Sequence, residues 1–390
     1  MPDIVSHIQE TKPSYIREVL KAAKDNNVIS LAGGLPCPEL LPMPIIKEVL
    51  PKLTKDISLF QYGSTSGYQP LCEYLRLRYE VPDSHEILIT SGSQQGIYLC
   101  ARAFIDRSEK IVVEDPSYLG ALQIFSMTQA TILSVDHEND GPNIEQLEVL
   151  FSNNDIVLFY AVPDFQNPTG CCWSMRKRYE VARLCHQYNV LLIEDAPYRE
   201  LRFTGVELPT VSCLLPNNSV LLKSFSKSIS PGMRVAALIT PKRWSKTLNK
   251  VKQALDLHTN SPMQKLTLEI LSHPDFETHL ETINQQYKLR YQTLAVELSS
   301  LPLDQYSYER VEGGMFVWLS IPDCDTLALA GTALQNGVAI VPGSEFFVTN
   351  RKRTSKLRLN FSYNKPDIIH QAMDRLKPIL EFYKANAKES

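Results

Sequence analysis

An α/β fold with a mostly parallel sheet, joined to a smaller α+β unit, is what the sequence predicts. Three observations carry it. Between residues 85 and 245 short apolar runs alternate with amphipathic stretches, each run stops at a polar loop marked by Gly or Pro, and a long polar helical stretch then leads to a last third with strand signals of its own. Strands buried on both faces read as continuous apolar runs, and parallel ones need long crossovers between them. The large unit is placed at residues 46–285 and the smaller one at 1–45 with 286–390.

In chain order, "KPSYIREVLKAA" has helical spacing, with Ser14 as its cap, Ile16, Val19, Leu20 and Ala23 on the inner face, and Arg17 among them. "EILIT", "KIVVEDP", "DIVLFYAVP", "NVLLIED" and "SVLLKSFS" are the buried strands, and "SMRKRYEVARLCHQY" is one of the polar helices between them. "ETHLETINQQYKLRYQTLAVELSS" is the long helix, followed by the strands in "GGMFVWLSI", "GVAIVPG" and "KLRLNFSY". Ligands of such sheets sit at the carboxyl ends of the strands, so the loops after these runs are where chemistry is expected.

Composition narrows the function. The 390 residues exceed what one core usually supports, and 40 basic against 43 acidic residues give a net charge of −3 without a sustained block of one sign. That balance argues against nucleic acid or a membrane surface and for small-molecule partners. The eight cysteines form no CxxC and no Cys/His cluster at metal spacing, so no metal is expected and the thiols read as reduced, in a cytoplasm. No apolar run has the length of a signal core or a membrane span.

The chemistry gathers at strand ends. "SGSQQG" passes into a helix through Gly92, Ser93 and Gln94; such a loop offers free N–H groups to a phosphate, though alone it is equally an ordinary cap. "NPTG" from Asn167 is either a turn or a means of fixing the Asn167 amide toward a ligand. Asp195, at the end of a buried strand and three residues before Tyr198, needs a cation or donors, which an ion pair or a helix cap would also supply. Lys227 follows Ser224 and Ser226 and precedes Pro231, Gly232 and Arg234. Hydroxyls and a guanidinium beside one lysine suit a Schiff-base nucleophile with an anionic aldehyde cofactor held near it.

The order of these elements, with Tyr118 in "EDPSYLG", "AGGLPCPELLP", "YGSTSGYQPL", "VPGSEFF" and "KLRLNFS", resembles the class I/II aminotransferases, and "PDFQNPTG" and "SFSK" resemble the 2-aminoadipate and kynurenine aminotransferase subgroup. The resemblance implies the aspartate-aminotransferase-like, pyridoxal-phosphate-dependent transferase fold and pyridoxal 5′-phosphate as cofactor. It implies that Lys227 carries the cofactor and shuttles the substrate proton, that Asp195 pairs with the ring nitrogen, and that Tyr118 stacks on the ring. Asn167 and Tyr198 would bond its phenolic oxygen, and Gly92, Ser93, Gln94, Ser224, Ser226 and Arg234 its phosphate, with Tyr62 reaching that phosphate from the neighbouring subunit of a homodimer. Arg358, with Gly34 and Asn167 near it, would take the substrate α-carboxylate, and Arg17 its distal group. The expected partners are an amino acid and a 2-oxo acid.

Two readings compete. A lyase performing β-elimination or decarboxylation would share the lysine and the aspartate. A non-catalytic ligand-sensing module, like the aminotransferase-like half of certain transcription regulators, would carry a DNA-binding segment ahead of the pattern, which here begins by Tyr15. The sequence departs from the broader family pattern at Lys223 and Ala236, where glycines are usual, and packing rather than chemistry is expected to feel it.

Overall fold

The apolar runs do become strands of one sheet, in a computed structural model that describes residues 15–25, 28–302, 306–349 and 355–386, with the backbone alone at 22–25 and 384–386. In chain order the strands are β1 His85–Thr90, β2 Lys110–Asp115, β3 Thr131–Glu138, β4 Gly141–Pro142, β5 Ile156–Ala161, β6 Leu191–Asp195, β7 Ser219–Ser224 and β8 Ala236–Pro241. Their order across the sheet is β1-β8-β7-β6-β5-β2-β3-β4. β1, β2, β3, β5, β6 and β7 run in one direction, while β8, between β1 and β7, and the short edge strand β4 run against it. The sheet is therefore mostly parallel, as expected, and its parallel strands deliver their carboxyl ends to one edge. The reading of apolar runs missed β3, β4 and β8: "TILSVDHE" is only partly buried and carries two acids, β4 is two residues long, and "AALITP" directly follows the Arg234 turn.

Alternation along each strand sends side chains to opposite faces. Leu88, Ile111, Val113, Leu158, Tyr160 and Ile193 pack on one face with Ile97 and Leu99 of helix α2, Ser93–Phe104, and with Phe125 of helix α3, Leu119–Ser126. On the other face Val112, Phe159, Ala161 and Leu192 meet Val181 and Leu184 of helix α4, Met175–Gln187, and Ile87, Ile89 and Ile239 meet Leu71, Leu266 and Ile270. Both faces are covered, so the strands read as near-continuous apolar runs.

The four-stranded sheet of the last third is ordered Ser307–Tyr308, Phe316–Ser320, Lys356–Asn360, Val341–Pro342, all antiparallel. The N-terminal segment joins this part of the chain: Ile29–Ser30 pairs in parallel with Val338–Ala339, and Val19 of helix α1, Tyr15–Asp25, packs with Ala339, Val341 and Phe346. Ser14, the expected cap of that helix, lies outside the described residues, as does the side chain of Ala23. The helix Phe276–Ser299 runs unbroken across position 285/286, where the large unit was expected to end.

Two parts of the fold interlock at the loop after β5. Gly170 has φ of 72°, and a Cβ there would lie 2.5 Å from the carbonyl oxygen of Phe316, so only glycine lets this loop lie against the four-stranded sheet. The loop that carries Asn167 and the strand that carries Arg358 are thereby held against each other.

Candidate active site

The parallel strands empty into one cavity of about 580 Å³, lined by Gly34, Ser93, Gln94, Tyr118, Asn167, Asp195, Tyr198, Ser224, Ser226, Lys227, Arg234 and Arg358 among others. Most come from loops or strand ends at the carboxyl edge, Arg358 from the four-stranded sheet opposite it, and Gly34 from the N-terminal segment that follows Ile29–Ser30. Gly92 borders the cavity as the cap of α2, with φ of 85°; a Cβ there would come within 2.2 Å of the Arg234 guanidinium. Of the expected residues only Tyr62 is left outside: it is 78 % exposed, edge-on to His258, at a separate surface groove with Phe60 and Ser261.

At one end the free N–H groups of α2 meet Arg234, which adopts a left-handed backbone, donates from Nη2 to the carbonyl of Ser91 at 3.2 Å and lies 3.5 Å from Ser226 Oγ through Nη1. The Ser224 hydroxyl accepts from the backbone N–H of Ser226 at 3.2 Å. A helix N-terminus, hydroxyls and a guanidinium make an anion cradle. Behind it Gln95 Oε1 accepts from the Ser91 N–H at 2.7 Å, and the Gln95 amide donates to Asp256, which pairs with the buried Lys252 at 2.7 Å. Sequence inspection missed this support, because Lys252 and Asp256 read as an ordinary helical i,i+4 pair.

In the middle stands Asp195, with 3 % of its surface exposed. Its Oδ2 accepts from the Tyr160 hydroxyl at 3.0 Å, and its Oδ1 is buried without a hydrogen-bond partner among the described residues. Burial pushes the carboxyl up to about 6, against the opposing influence of the Tyr160 and Ser93 hydroxyls. Ser93 Oγ lies near enough to favour the charged carboxyl but is likewise buried and completes no hydrogen bond among the described residues. Tyr118 caps α3 and donates to Gln94 Oε1 at 3.2 Å, while the Gln94 amide donates to the Gly120 carbonyl at 3.0 Å. Two orphaned polar atoms facing a roomy cavity fit a ligand that brings its own donor or acceptor.

Lys227 Nζ donates to the carbonyl of Gly34 at 2.6 Å. Burial first, then the positive charges of Arg358 and Arg234, pull its ammonium down to about 8, so a neutral, nucleophilic amine is accessible near physiological pH.

Arg358 closes the far end with 1 % exposure. Its Nη1 donates to Asn167 Oδ1 at 2.7 Å, its Nη2 donates to the carbonyl of Ala32, its Cζ lies 4.4 Å from the Phe316 ring centroid, and its Nε has no partner among the described residues. Burial lowers it to about 10, with the Tyr198 and Tyr118 hydroxyls acting the other way. No carboxylate among the described residues pairs with it, so this buried cation suits a carboxylate that arrives with a ligand. Arg17 is exposed and reaches the same cavity beside Ile16 and Leu20.

Lys223 does not enter the site. It alternates with Ser224 to the opposite face of β7, where its Nζ lies 3.8 Å from the Tyr79 ring centroid. Ala236 opens β8 opposite both Thr90 and Ser224. Sequence inspection also missed Tyr160, one aromatic residue within an apolar strand, which gives no local sign that its hydroxyl meets Asp195.

The family model for aminotransferase class I and II matches residues 26–376 of the chain. The chain is 35 % identical to aromatic-amino-acid aminotransferase 1 of Thermococcus litoralis, over 94 % of this chain and 91 % of that one. It is 33 % identical to the 2-aminoadipate transaminase of Thermus thermophilus, over 93 % and 92 %. A crystal structure of Pyrococcus horikoshii kynurenine aminotransferase in complex with PMP superposes with a TM-score of 0.92 at 31 % identity, covering 97 % of both chains.

The raised carboxyl of Asp195 makes a stability prediction. With a folded value of about 6 against 3.8, the ligand-free folded protein binds this proton more tightly than the unfolded chain does. Its stability then falls as pH rises from 3.8 through 6, by on the order of 3 kcal/mol. Asp195→Asn is therefore expected to raise the calorimetric midpoint of cofactor-free protein at pH 7.5 by a few degrees and to leave it unchanged at pH 4. Equal midpoints at pH 7.5, or a difference that persists at pH 4, would rule out a destabilising charge.

Proposed function

Because the chain belongs to the class I and II aminotransferases, pyridoxal phosphate enzymes that move an amino group from an amino acid to a 2-oxo acid, we propose that the cavity described above is its active site. The observation that carries this is the company of three groups in one cavity: a lysine amine lowered to about 8, a buried carboxylate with one free oxygen, and a buried arginine without a counter-ion. They match an aldehyde, a pyridine nitrogen and an α-carboxylate.

The cofactor would be held by Lys227, by Asp195 Oδ1 at its ring nitrogen, by Asn167 and Tyr198 at its phenolic oxygen, by Tyr118 on its face, and by Gly92, Ser93, Gln94, Ser224, Ser226 and Arg234 at its phosphate. The chemistry it supplies when bound is to withdraw the electrons left at the substrate Cα once a proton departs. Arg358 orients the substrate through its carboxylate, a contact guanidinium geometry favours. Asn167, which accepts from Arg358, and the Gly34 backbone complete that end. The Lys227 amine takes the proton from Cα and returns it on the other side of the exchange. Asp195, kept charged, holds the ring nitrogen's proton in place. A lyase would share these groups; release of ammonia from one amino acid without an acceptor would reveal it.

The reading extends to partners and place. The chain would divide into a large cofactor-binding unit, 46–285, and a small unit, 1–45 with 286–390, a division supported by the eight-stranded and four-stranded sheets that lie on the two sides of it. Ile57, Phe60 and Tyr62 are exposed on one short stretch, at 86, 63 and 78 %, which favours a homodimer in which a second copy covers them and Tyr62 reaches the neighbour's phosphate end. The eight free cysteines favour a reducing, cytoplasmic setting, and among the described residues no helix is long and apolar enough to cross a membrane. The exposed Arg17 beside Ile16 and Leu20 favours donors of two kinds, acidic ones such as glutamate or 2-aminoadipate that pair with it, and apolar or aromatic ones from which it swings away.

Borohydride is expected to fix the cofactor on the peptide containing Lys227, and Lys227→Ala to abolish the half-reaction with amino acids; wild-type turnover by that variant would end the mechanism. Arg17→Ala is expected to lower kcat/KM for glutamate or 2-aminoadipate by about tenfold and to spare leucine and phenylalanine. Equal loss for both classes would mark a structural charge on the helix, and no loss for either a solvated one. Co-refolding inactive Lys227→Ala with a Tyr62-disrupted protein should restore partial activity through heterodimers, whereas sites built from one chain each would show no rescue.

A further inference from the structure

Asp195 has two oxygens with different surroundings, and the difference originates in one residue outside the cavity lining. Tyr160 stands next to last in β5, paired with Ile193 of β6 on one side and Val113 of β2 on the other. Its side chain is fully buried, and its ring is edge-on to Phe125 of α3 at 5.7 Å. From there its hydroxyl donates to Asp195 Oδ2 at 3.0 Å, while Oδ1 has no partner among the described residues and Asp195 lines the cavity.

We propose that Tyr160 is a positioning residue for amino transfer: its buried hydroxyl anchors Oδ2, fixing the carboxylate so that Oδ1 remains free for the cofactor's ring nitrogen and the group stays charged. A rigid ring packed in the core aims the donor, and a donor on one carboxylate oxygen favours the ionised form against the burial that opposes it. Burial, then the nearby Asp195 charge, raises the Tyr160 phenol well above its ordinary range, so this hydroxyl keeps its proton and remains a donor. Without it, a carboxylate in this pocket would be free to rotate and would retain its own proton more readily, and a neutral acid forms no ion pair with a protonated ring nitrogen. Tyr160 acts through Asp195 and touches neither substrate nor reacting atoms. The inference rests on the reading of Asp195 as the partner of the ring nitrogen.

A double-mutant cycle tests both separately. The dissociation constant of pyridoxal phosphate is measured by absorbance titration for wild type, Tyr160→Phe, Asp195→Ala and the double variant. Tyr160→Phe, which removes one oxygen from a packed site, is expected to weaken cofactor binding about tenfold, the size of a lost hydrogen bond to a charged group. In the Asp195→Ala background the same substitution is expected to change nothing further. Wild-type affinity in Asp195→Ala would overturn the reading of Asp195 itself. Weakening by Asp195→Ala together with an equal Tyr160→Phe loss in both backgrounds, or with no Tyr160→Phe loss in either, would overturn the role of Tyr160. Phe125→Leu disturbs the same packing while leaving the hydroxyl and should leave the constant within about twofold, below the size of that hydrogen bond; a tenfold loss there would assign the effect to packing and overturn the inference as well.

Discussion

The proposed active site depends on one constraint: its ionisable groups are buried without internal counter-charges among the described residues. Asp195, Lys227 and Arg358 share one cavity, and each is shifted from its ordinary range in the direction that burial dictates. A protein interior tolerates such groups only where surrounding structure holds them, because each would otherwise rearrange or neutralise. The hydrogen bonds from Tyr160 to Asp195, from Lys227 to the Gly34 carbonyl, and from Arg358 to Asn167 and Ala32 are that holding structure. Each leaves part of the charged group unsatisfied, and the unsatisfied part is what a cofactor or substrate meets.

The same chain shows how buried charge is treated when it has no ligand to await. Arg178 pairs with Asp164 at 2.7 Å, and Asp164 also takes Arg199 at 2.9 Å. Glu194 accepts from the backbone N–H groups of Val211 and Ser212 and from the Ser212 hydroxyl. His137 lies 2.8 Å from Glu114. These groups are closed pairs or caps. The contrast between Glu194 and Asp195 is sharpest, since adjacent acids at one strand end alternate to opposite faces: one is consumed by a short helix, and the other is left half free over the cavity.

The two sheets contribute unequal things. The eight-stranded sheet supplies Asp195 from the end of a parallel strand, and the cradle and the lysine from the short loops that follow its strands, which gives these groups a fixed mutual geometry. The four-stranded sheet supplies Arg358, stacked on Phe316 and Phe346, and the interlock at Gly170 fixes how that arginine meets Asn167. The N-terminal helix adds Arg17 and the apolar wall of Ile16 and Leu20. On the proposed reading, an anionic cofactor would be held by the ends of one sheet, and a substrate carboxylate met where two parts of the chain come together.

The sequence by itself determined the strands that read as continuous apolar runs, the mostly parallel sheet they imply, and the residues at their ends, because burial on both faces and turn chemistry are written locally. Gly92, Asn167, Asp195, Ser224, Lys227 and Arg234 were legible for that reason, and Arg358 through its motif. Only the tertiary structure decided which atoms of these residues are satisfied: that Asp195 Oδ2 is taken by Tyr160 and Oδ1 is not, that Lys252 stands behind the anion cradle, that Lys223 turns to Tyr79 while its neighbour Ser224 faces the cavity, and that Tyr62 lies away from its own chain's site. Hydrogen bonds between residues far apart in the chain leave no mark in local pattern, since a tyrosine in an apolar strand satisfies the same periodicity whether its hydroxyl meets a carboxylate or nothing at all.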